Sequence, residues 1–281
     1  MKSTTGRAAL ALVVTAALTG AAACTSDGRP EQDRTAAPAS LAALRTAERS
    51  TGRADSARVR STTVLGDQLS LTAVGALRWG HGLTGTLTIT YTGGTTAETM
   101  RELGVTSMEA RYLPDAFYAH MGQAFAGQAG GGKRWLKYAY DDLAAMGTGA
   151  DFAAQLRSTT PNQSVRLLLD SDDVQEVGEE IVEGRRTTHY SGTVEVADVA
   201  DAGLRAHLEQ AGVTAETVDI WVDAKDLLVK KVEKGETAHG GYSQTAYYSD
   251  YGTEVTTQAP PAGDTADFSE LLRQQGGAPT P

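Results

Sequence analysis

The 281-residue sequence contains one cysteine, at position 24. A single thiol excludes an internal disulfide framework and any metal site that needs several cysteine ligands. The 25 lysines and arginines are outnumbered by 35 acidic residues and form no cluster, so the basic surface of a nucleic-acid-binding protein is missing. Hydrophobic residues make up 41% of the chain, which is close to the globular average and excludes wholesale disorder.

The sequence also lacks the common catalytic and metal-binding motifs. The five histidines are isolated and show no zinc-helix spacing, and the G-x-S-x-G turn of hydrolases does not occur. The segment Gly127–Lys133 resembles a phosphate-binding loop, but Arg134 stands where a magnesium-binding hydroxyl is needed. The carboxylates of Asp170–Asp173 lack the glycine and the closing glutamate of a calcium loop, and are expected to cap helix and turn ends. We therefore predict no catalytic residues, no metal site, no cofactor and no enzymatic activity.

The N-terminus is typical of an exported lipoprotein. Lys2 and Arg7 precede the apolar stretch Ala8–Leu18, which is shorter than the roughly 20 residues of a membrane span. Small residues then lead into Cys24, as in a bacterial lipobox, although Ala21 stands where leucine is commoner. This pattern predicts a signal peptide over residues 1–23 and a diacylglyceryl group on Cys24. The alternative is cleavage by the ordinary signal peptidase, which would leave a free thiol.

Lipidation of Cys24 would anchor the protein at the extracellular face of the cell membrane. The polar segment that follows contains Pro30 and Pro38, and we predict a flexible tether over residues 24–40. Residues 41–275 show no internal boundary and are predicted to form a single α+β domain. Residues 276–281 are predicted to be a disordered tail.

The domain begins with a helical pattern at Leu41 and then turns to strands with a period of two. In the third of these strands Leu87, Ile89 and Tyr91 share one face, and threonines occupy the other. The pattern predicts strands at 59–65, 69–74, 83–91, 96–102, 105–113, 115–121, 134–138, 174–177, 185–196, 217–223, 227–236, 242–248 and 255–258. It predicts further helices at 141–146, 150–157, 162–170, 200–210 and 267–273. Glu179, Glu180 and Glu183 are expected in a solvated turn.

Several motifs resemble those of a known family. Val218–Asp223 contains the run W-V-D and is followed by a hairpin, a strand ending in Tyr247–Gly252, and the proline pair of Ala259–Pro261. Upstream, Phe117–Met121 and Lys133–Tyr138 resemble two paired strands that precede a helical insertion. This order, together with the lipobox, resembles actinobacterial lipoproteins of the LppX/LprG type over roughly residues 41–272.

The resemblance implies a LolA-like half-barrel, in which a strongly curved antiparallel sheet carries helices on its concave face. In mycobacterial members an apolar cavity between sheet and helices takes up acyl chains, and the family has no catalytic residues. The pattern of this sequence alone suggests the residues that would line such a cavity. They are Leu87, Ile89 and Tyr91 on the sheet and Phe152, Leu156, Leu168 and Leu169 on the helices. Trp135 and Trp221 are expected to be structural.

Two functions from different classes remain open at this point. The first is a monomeric, membrane-tethered carrier that binds lipid or glycolipid acyl chains without chemistry, by burial of apolar surface. The second is a surface interaction or sensor lipoprotein, whose sheet–helix interface is a filled core and which binds a protein or cell-envelope partner.

Overall fold

Twelve strands and seven α-helices build the part of the chain that the structure describes. The computed structural model describes residues 38–80, 82–145, 160–237 and 240–274. The helices are α1 (Pro38–Arg53), α2 (Thr95–Glu102), α3 (Gly122–Gln128), α4 (Tyr140–Ala145), α5 (Pro161–Leu169), α6 (Ala202–Gln210) and α7 (Phe268–Gln274). The strands are β1 (Ser56–Leu65), β2 (Leu69–Arg78), β3 (Thr84–Gly93), β4 (Ser107–Tyr112), β5 (Ala116–His120), β6 (Trp135–Ala139), β7 (Gln175–Val182), β8 (Arg185–Glu195), β9 (Ala215–Asp223), β10 (Leu228–Thr237), β11 (Gly240–Ser249) and β12 (Thr265–Asp267).

All twelve strands belong to one open sheet, in the order β12-β6-β5-β4-β3-β2-β1-β11-β10-β9-β8-β7. Every neighbouring pair is antiparallel except β12 and β6, which run parallel. The pairing of β1 with β11 joins the N-terminal and C-terminal halves of the chain. The prediction of one continuous, mainly antiparallel sheet is therefore confirmed.

The two faces of the sheet differ as the alternation predicts. One face, called the inner face here, carries Leu87 and Ile89 of β3 and Ile220 of β9, and it packs against Leu44 of α1 and Leu168 of α5. The opposite, outer face carries the threonines of β3. Burial of aliphatic side chains on the inner face is the main source of stability, at about 25 cal/mol per Å² of apolar surface.

Helix α1 is fixed to the sheet by buried hydrogen bonds as well as by apolar contacts. The hydroxyl oxygen of Thr51 accepts a hydrogen bond from the backbone N–H of Leu228, over 3.1 Å. The Tyr251 hydroxyl donates to the carbonyl oxygen of the same leucine, over 2.6 Å. Helix α5 packs against α1 and against β8, β9 and β10. These contacts place two helices over the half of the inner face that contains β8 to β11.

The outer face carries two small apolar clusters of its own. Trp221 packs with Val182, Val229, Val232 and Tyr247 on the outer face of β7 to β11. In a second cluster, the buried indole of Trp135 lies with Ala116 and Tyr118, and half-buried Leu113 packs against them. Trp135 and Trp221 are thus structural residues of the sheet, as predicted.

Three predicted elements differ from the structure. Residues 96–102 form helix α2 instead of a strand, because Gly94 (φ 84°) redirects the chain and the segment buries only Ala97. Residues 255–258 are not a strand, although Thr257 and the Gln258 carbonyl contact side chains of β3 and β4. Glu179 and Glu180 lie in β7, so the turn between β7 and β8 is shorter than predicted.

Candidate ligand cavity

A cavity of about 390 Å³ lies between the inner face of the sheet and helices α5 and α6. Its volume is within the usual range of small-molecule sites. Its sheet side is formed by Thr63, Val64, Leu65, Leu69, Glu216, Lys231, Glu233, Thr237, Tyr242 and Gln244. Its other side is formed by Thr160, Gln163, Ser164, Leu167, Leu204, His207, Leu208, Ala211 and Val213. One part of the lining is aliphatic and another is strongly polar.

The aliphatic part, called the apolar wall here, is defined by Leu65, Leu69, Leu167, Leu204, Leu208 and Val213. Helix α5 begins with Pro161 in its first turn, where the missing N–H costs no hydrogen bond, and it contributes Leu167 to the apolar wall. Helix α6 begins at the N-cap Asp201, whose carboxylate accepts a hydrogen bond from the Leu204 N–H over 2.9 Å. These helix starts place leucine side chains opposite the leucines at the turn between β1 and β2.

The polar part, called the polar floor here, is formed by Glu216, Lys231, Glu233, Tyr242 and Gln244. The ammonium of Lys231 donates to a carboxylate oxygen of Glu233 over 2.7 Å. The Tyr242 hydroxyl is hydrogen-bonded to the carboxyl group of Glu216. Gln244 donates to the Thr63 hydroxyl over 3.3 Å. The polar floor is therefore a hydrogen-bonded network on a face that is otherwise apolar.

Burial changes the ionisation of this network. Burial raises the pKa of Glu216 to about 8 and Glu233 adds to the increase, while Tyr242 and Lys231 oppose it. Burial lowers the pKa of Lys231, but the nearby carboxylates outweigh this effect and the net shift is upward. The pKa of Tyr242 is raised by burial and by Glu216. These shifts favour the neutral form of Glu216 and the charged form of Lys231.

A β-bulge in β10 explains why alternation did not reveal the polar floor. Strict alternation from Leu228 would place Lys230 and Val232 on the inner face with it. The bulge shifts the register between Leu228 and Lys230, so Lys230 faces outward next to Trp221 and Lys231 and Glu233 face the cavity. A one-residue shift of register moves each following side chain to the other face.

The predicted cavity residues lie elsewhere or outside the described residues. Leu87, Ile89 and Leu168 are buried in the main core, and Tyr91 packs against that core. Leu169 lines a separate cleft between α5 and α6. The predictions for Phe152 and Leu156 fall outside the described residues, as does the lipidation of Cys24.

A second depression, of about 590 Å³, adjoins the cavity, and Glu216 and Tyr242 line both. It lies at one end of β9, β10 and β11 and is lined by residues of these strands together with Thr193 of β8 and Thr214. The hydrogen-bonded pair Glu216–Tyr242 thus borders the cavity on one side and this surface depression on the other.

The remaining candidate groups have structural contacts. Asp170 and Asp173 accept hydrogen bonds from the backbone N–H groups of Ala200 and of Thr193 in β8, so they link distant segments of the chain and do not cap a helix or turn through these bonds. His120 packs on Trp135, and His207 lines the cavity. Within the ranges that the structure describes, no three histidine, cysteine or carboxylate side chains are grouped as metal ligands.

In those same ranges, no helix has the length and apolar character to cross a membrane.

Two curated proteins from Streptomyces match this chain over most of its length. The "Putative lipoprotein SCO4650" of Streptomyces coelicolor is 55% identical, and the match covers 98% of this chain and 99% of that protein. The "Uncharacterized 31.2 kDa protein in rplA-rplJ intergenic region" of Streptomyces griseus is 47% identical, over 85% of this chain and 82% of that protein. The chain belongs to the family of these two Streptomyces proteins. No family model matches the sequence.

The fold of this chain is similar to that of a solved mycobacterial lipoprotein. The crystal structure of Mycobacterium tuberculosis lipoprotein LppX matches with a TM-score of 0.51 and 17% identity, and it covers 79% of this chain and 100% of that chain. The predicted resemblance to LppX/LprG-type lipoproteins is thereby confirmed at the level of the fold. The α+β architecture with a curved sheet and helices on one face is confirmed with it.

Proposed function

We propose that this protein is an exported, membrane-anchored lipoprotein that binds acyl chains of a lipid or glycolipid as a non-catalytic carrier. The observation that carries this proposal is the cavity between the sheet and helices α5 and α6, with its aliphatic wall. Each methylene group buried there would contribute about 0.8 kcal/mol to binding. The lipobox at Cys24 and the name of the Streptomyces coelicolor relative support the membrane anchor.

The lipid-binding part of the proposal is tested on the mature protein with Cys24→Ser, purified from an actinobacterial host. Native mass spectrometry is expected to show a discrete added mass, which is lost on organic extraction and identifies the ligand class. An apo mass that stays unchanged after incubation with the host's lipid extract would contradict the carrier function. Photo-crosslinking with an acyl-chain probe on the same preparation tests the predicted ligand contacts, and labelling confined to the lining of the cavity at α5 and α6 would contradict them. The predicted contacts are Leu87, Ile89, Tyr91, Phe152, Leu156, Leu168 and Leu169.

The membrane anchor is tested separately, on the full-length protein in the same host. The natural sequence is expected in the membrane fraction and to incorporate labelled fatty acid. The Cys24→Ser variant is expected in the medium and without label, because a thioether to diacylglycerol needs the cysteine sulfur. Incorporation of the label into that variant, or no incorporation into the natural sequence, would contradict lipidation at this residue.

One observation favours the second function, a surface module that binds a partner. Strand β7 is an edge of the open sheet, and its Val177 and Ile181 are exposed. Unpaired edge strands with exposed aliphatic side chains are common places for another chain to bind. Two results together would favour this function over the carrier. No bound lipid would be found, and a variant with Val177→Lys and Ile181→Lys would no longer capture the partner.

A further inference from the structure

The polar floor of the cavity has properties that acyl-chain binding alone does not require. Glu216 and Lys231 are 3% and 6% exposed, on a face where the adjacent inner positions are Val218 and Ala246. Burial of ionisable groups beside aliphatic side chains is costly, and an apolar replacement of similar volume often stabilises a protein. Leucines at these positions would line a cavity for hydrocarbon alone without the cost of burying ionisable groups.

The cation of the polar floor is already paired. Lys231 and Glu233 form an ion pair over 2.7 Å. Burial raises the pKa of Glu216, which favours its neutral form, and its carboxyl group is hydrogen-bonded to Tyr242. The network therefore presents hydrogen-bonding groups but no unpaired positive charge for an anionic ligand to neutralise.

The polar floor contains both donors and acceptors. Lys231 has three N–H groups, and among the described residues its hydrogen bond goes to Glu233. Glu233 contributes a second carboxylate oxygen, and the amide of Gln244 contributes a carbonyl oxygen beside its bond to Thr63. A hydroxyl group both donates and accepts, so a head group with several hydroxyls matches this mixture.

We propose that the cavity binds an amphiphile with an uncharged, hydroxyl-bearing head group on the polar floor and its acyl chain along the apolar wall. This inference rests on the proposed lipid-binding function and names the class of ligand. Glycerol esters and glycosyl lipids have such head groups. Fatty-acid anions and hydrocarbons lack them.

Anionic head groups fit this network poorly. A carboxylate or phosphate only accepts hydrogen bonds and would bring an uncompensated negative charge close to Glu233. To pair with Lys231 it would have to displace the Glu233 carboxylate, which would then be buried without its partner. A head group without polar atoms would leave the donors and acceptors of the polar floor unsatisfied, which also costs free energy.

The experiment uses three ligands that share a twelve-carbon chain and differ in the head group: 1-monolauroylglycerol, laurate and dodecane. The mature Cys24→Ser protein is first stripped of lipid and saturated with the uncharged dye Nile red. Each ligand is then titrated against the dye at neutral pH and constant ionic strength. Monolauroylglycerol is expected to displace the dye at a concentration about tenfold below those of laurate and dodecane, the ratio that one well-formed hydrogen bond provides.

Two variants test whether the polar floor causes this preference. Lys231→Met combined with Glu233→Leu removes both partners of the ion pair, so no buried charge is left alone. This double variant is expected to lose the preference for monolauroylglycerol but still to bind Nile red. Lys230→Met is the matched control, because Lys230 is in the same strand but lies over Trp221 on the outer face, and it should keep the preference.

The outcomes separate the inference from the proposed function. If none of the three ligands displaces the dye, lipid binding in the cavity is contradicted and the inference falls with it. If all three displace it equally, or laurate is the strongest, the cavity binds lipid but the inference about its head group is wrong. These results come from the unsubstituted cavity, so they decide the inference even if the double variant does not fold.

Discussion

The imidazole of His189 lies parallel to the indole of Trp221, with ring centroids 4.1 Å apart and planes inclined by 13°. The indole N–H donates to a carboxylate oxygen of Glu180 over 2.8 Å, and the other oxygen of Glu180 lies 3.1 Å from His189 Nδ1. Asp219 is 2.9 Å from His189 Nε2. The stacked pair therefore connects β7, β8 and β9 on the outer face of the sheet.

We expect Trp221→Ala to lower the free energy of unfolding by about 3 kcal/mol, the cost typical of deleting a large buried aromatic side chain. His189→Ala should cost less, about 1 kcal/mol, because it removes the stacking partner but leaves the indole packed. Urea unfolding of the mature protein measures both changes. The control is Val177→Ala, since Val177 is exposed on β7 and its truncation should change stability by less than about 0.5 kcal/mol.

Trp221 lies on the outer face, so these substitutions also separate stability from ligand binding. At temperatures where the His189→Ala protein is folded, its Nile red binding should equal that of the unsubstituted protein. A cavity-binding defect in His189→Ala would contradict the assignment of ligand binding to the inner face.

Most of the sheet could be predicted from the sequence because the alternation of Leu87, Ile89 and Tyr91 with threonines reflects a face buried against helices. Helix α2 could not, because the β-branched Thr95 and Thr96 resemble the start of a strand and its helical state depends on the turn at Gly94. The polar floor could not be predicted either. The bulge beside Lys230 reverses the facing of Lys231 and Glu233, and a bulge has no reliable sequence signal.

A buried hydrogen bond between α1 and β10 supplies the second prediction. Thr51→Val removes the acceptor of the Leu228 N–H and leaves this donor buried without a partner, at a cost of about 1–3 kcal/mol. Thr46→Val is the matched control, since Thr46 is in the same helix and both of its hydroxyl's hydrogen bonds, to the Ala42 carbonyl and from Arg49, lie at the exposed surface. Thermal unfolding should show a clear decrease for Thr51→Val and almost none for Thr46→Val. Equal decreases would indicate that the loss reflects helix propensity alone.

A close approach between two strands supplies the third prediction. A β-carbon added at Gly75 in β2 would lie 2.0 Å from the carbonyl oxygen of Thr86 in β3. Gly75→Ala is therefore expected to destabilise the protein by about 1–3 kcal/mol, as overpacking does. Gly127→Ala in α3 is the control, because nothing lies within 4 Å of its added carbon. That change should stabilise by about 0.5–1 kcal/mol by restricting the unfolded chain. If urea unfolding ranks the two substitutions in the opposite order, the register of β2 and β3 is wrong.

Because the pKa of Glu216 is raised in the folded protein, the free energy of unfolding should decrease as the pH rises. Burial raises this pKa from its ordinary value of 4.5 to about 8, so between these values the folded protein holds a proton that the unfolded chain releases. The contribution of protonated Glu216 to the free energy of unfolding is therefore fully present below about pH 4.5 and is lost as the pH rises towards about 8. Lys231, Glu233 and Tyr242 from the neighbouring strands, and His207 from α6, are the ionisable groups that share the cavity lining with Glu216.

Glu216→Gln removes this ionisation but keeps a carbonyl oxygen for the Tyr242 hydroxyl, so it should flatten the pH dependence. We expect the variant to match the unsubstituted protein at about pH 4, below the ordinary pKa of a glutamate. At about pH 8.5 the variant should exceed the free energy of unfolding of the unsubstituted protein by more than about 1 kcal/mol, since one pKa unit corresponds to about 1.4 kcal/mol. Glu195→Gln is the control, because Glu195 is an exposed carboxylate on the neighbouring strand β8 and its removal should leave the profile parallel to that of the unsubstituted protein. Urea unfolding at several pH values measures all three proteins. If the stability difference between Glu216→Gln and the unsubstituted protein does not change with pH, Glu216 is ionised in the folded state, and the polar floor would then carry a net negative charge.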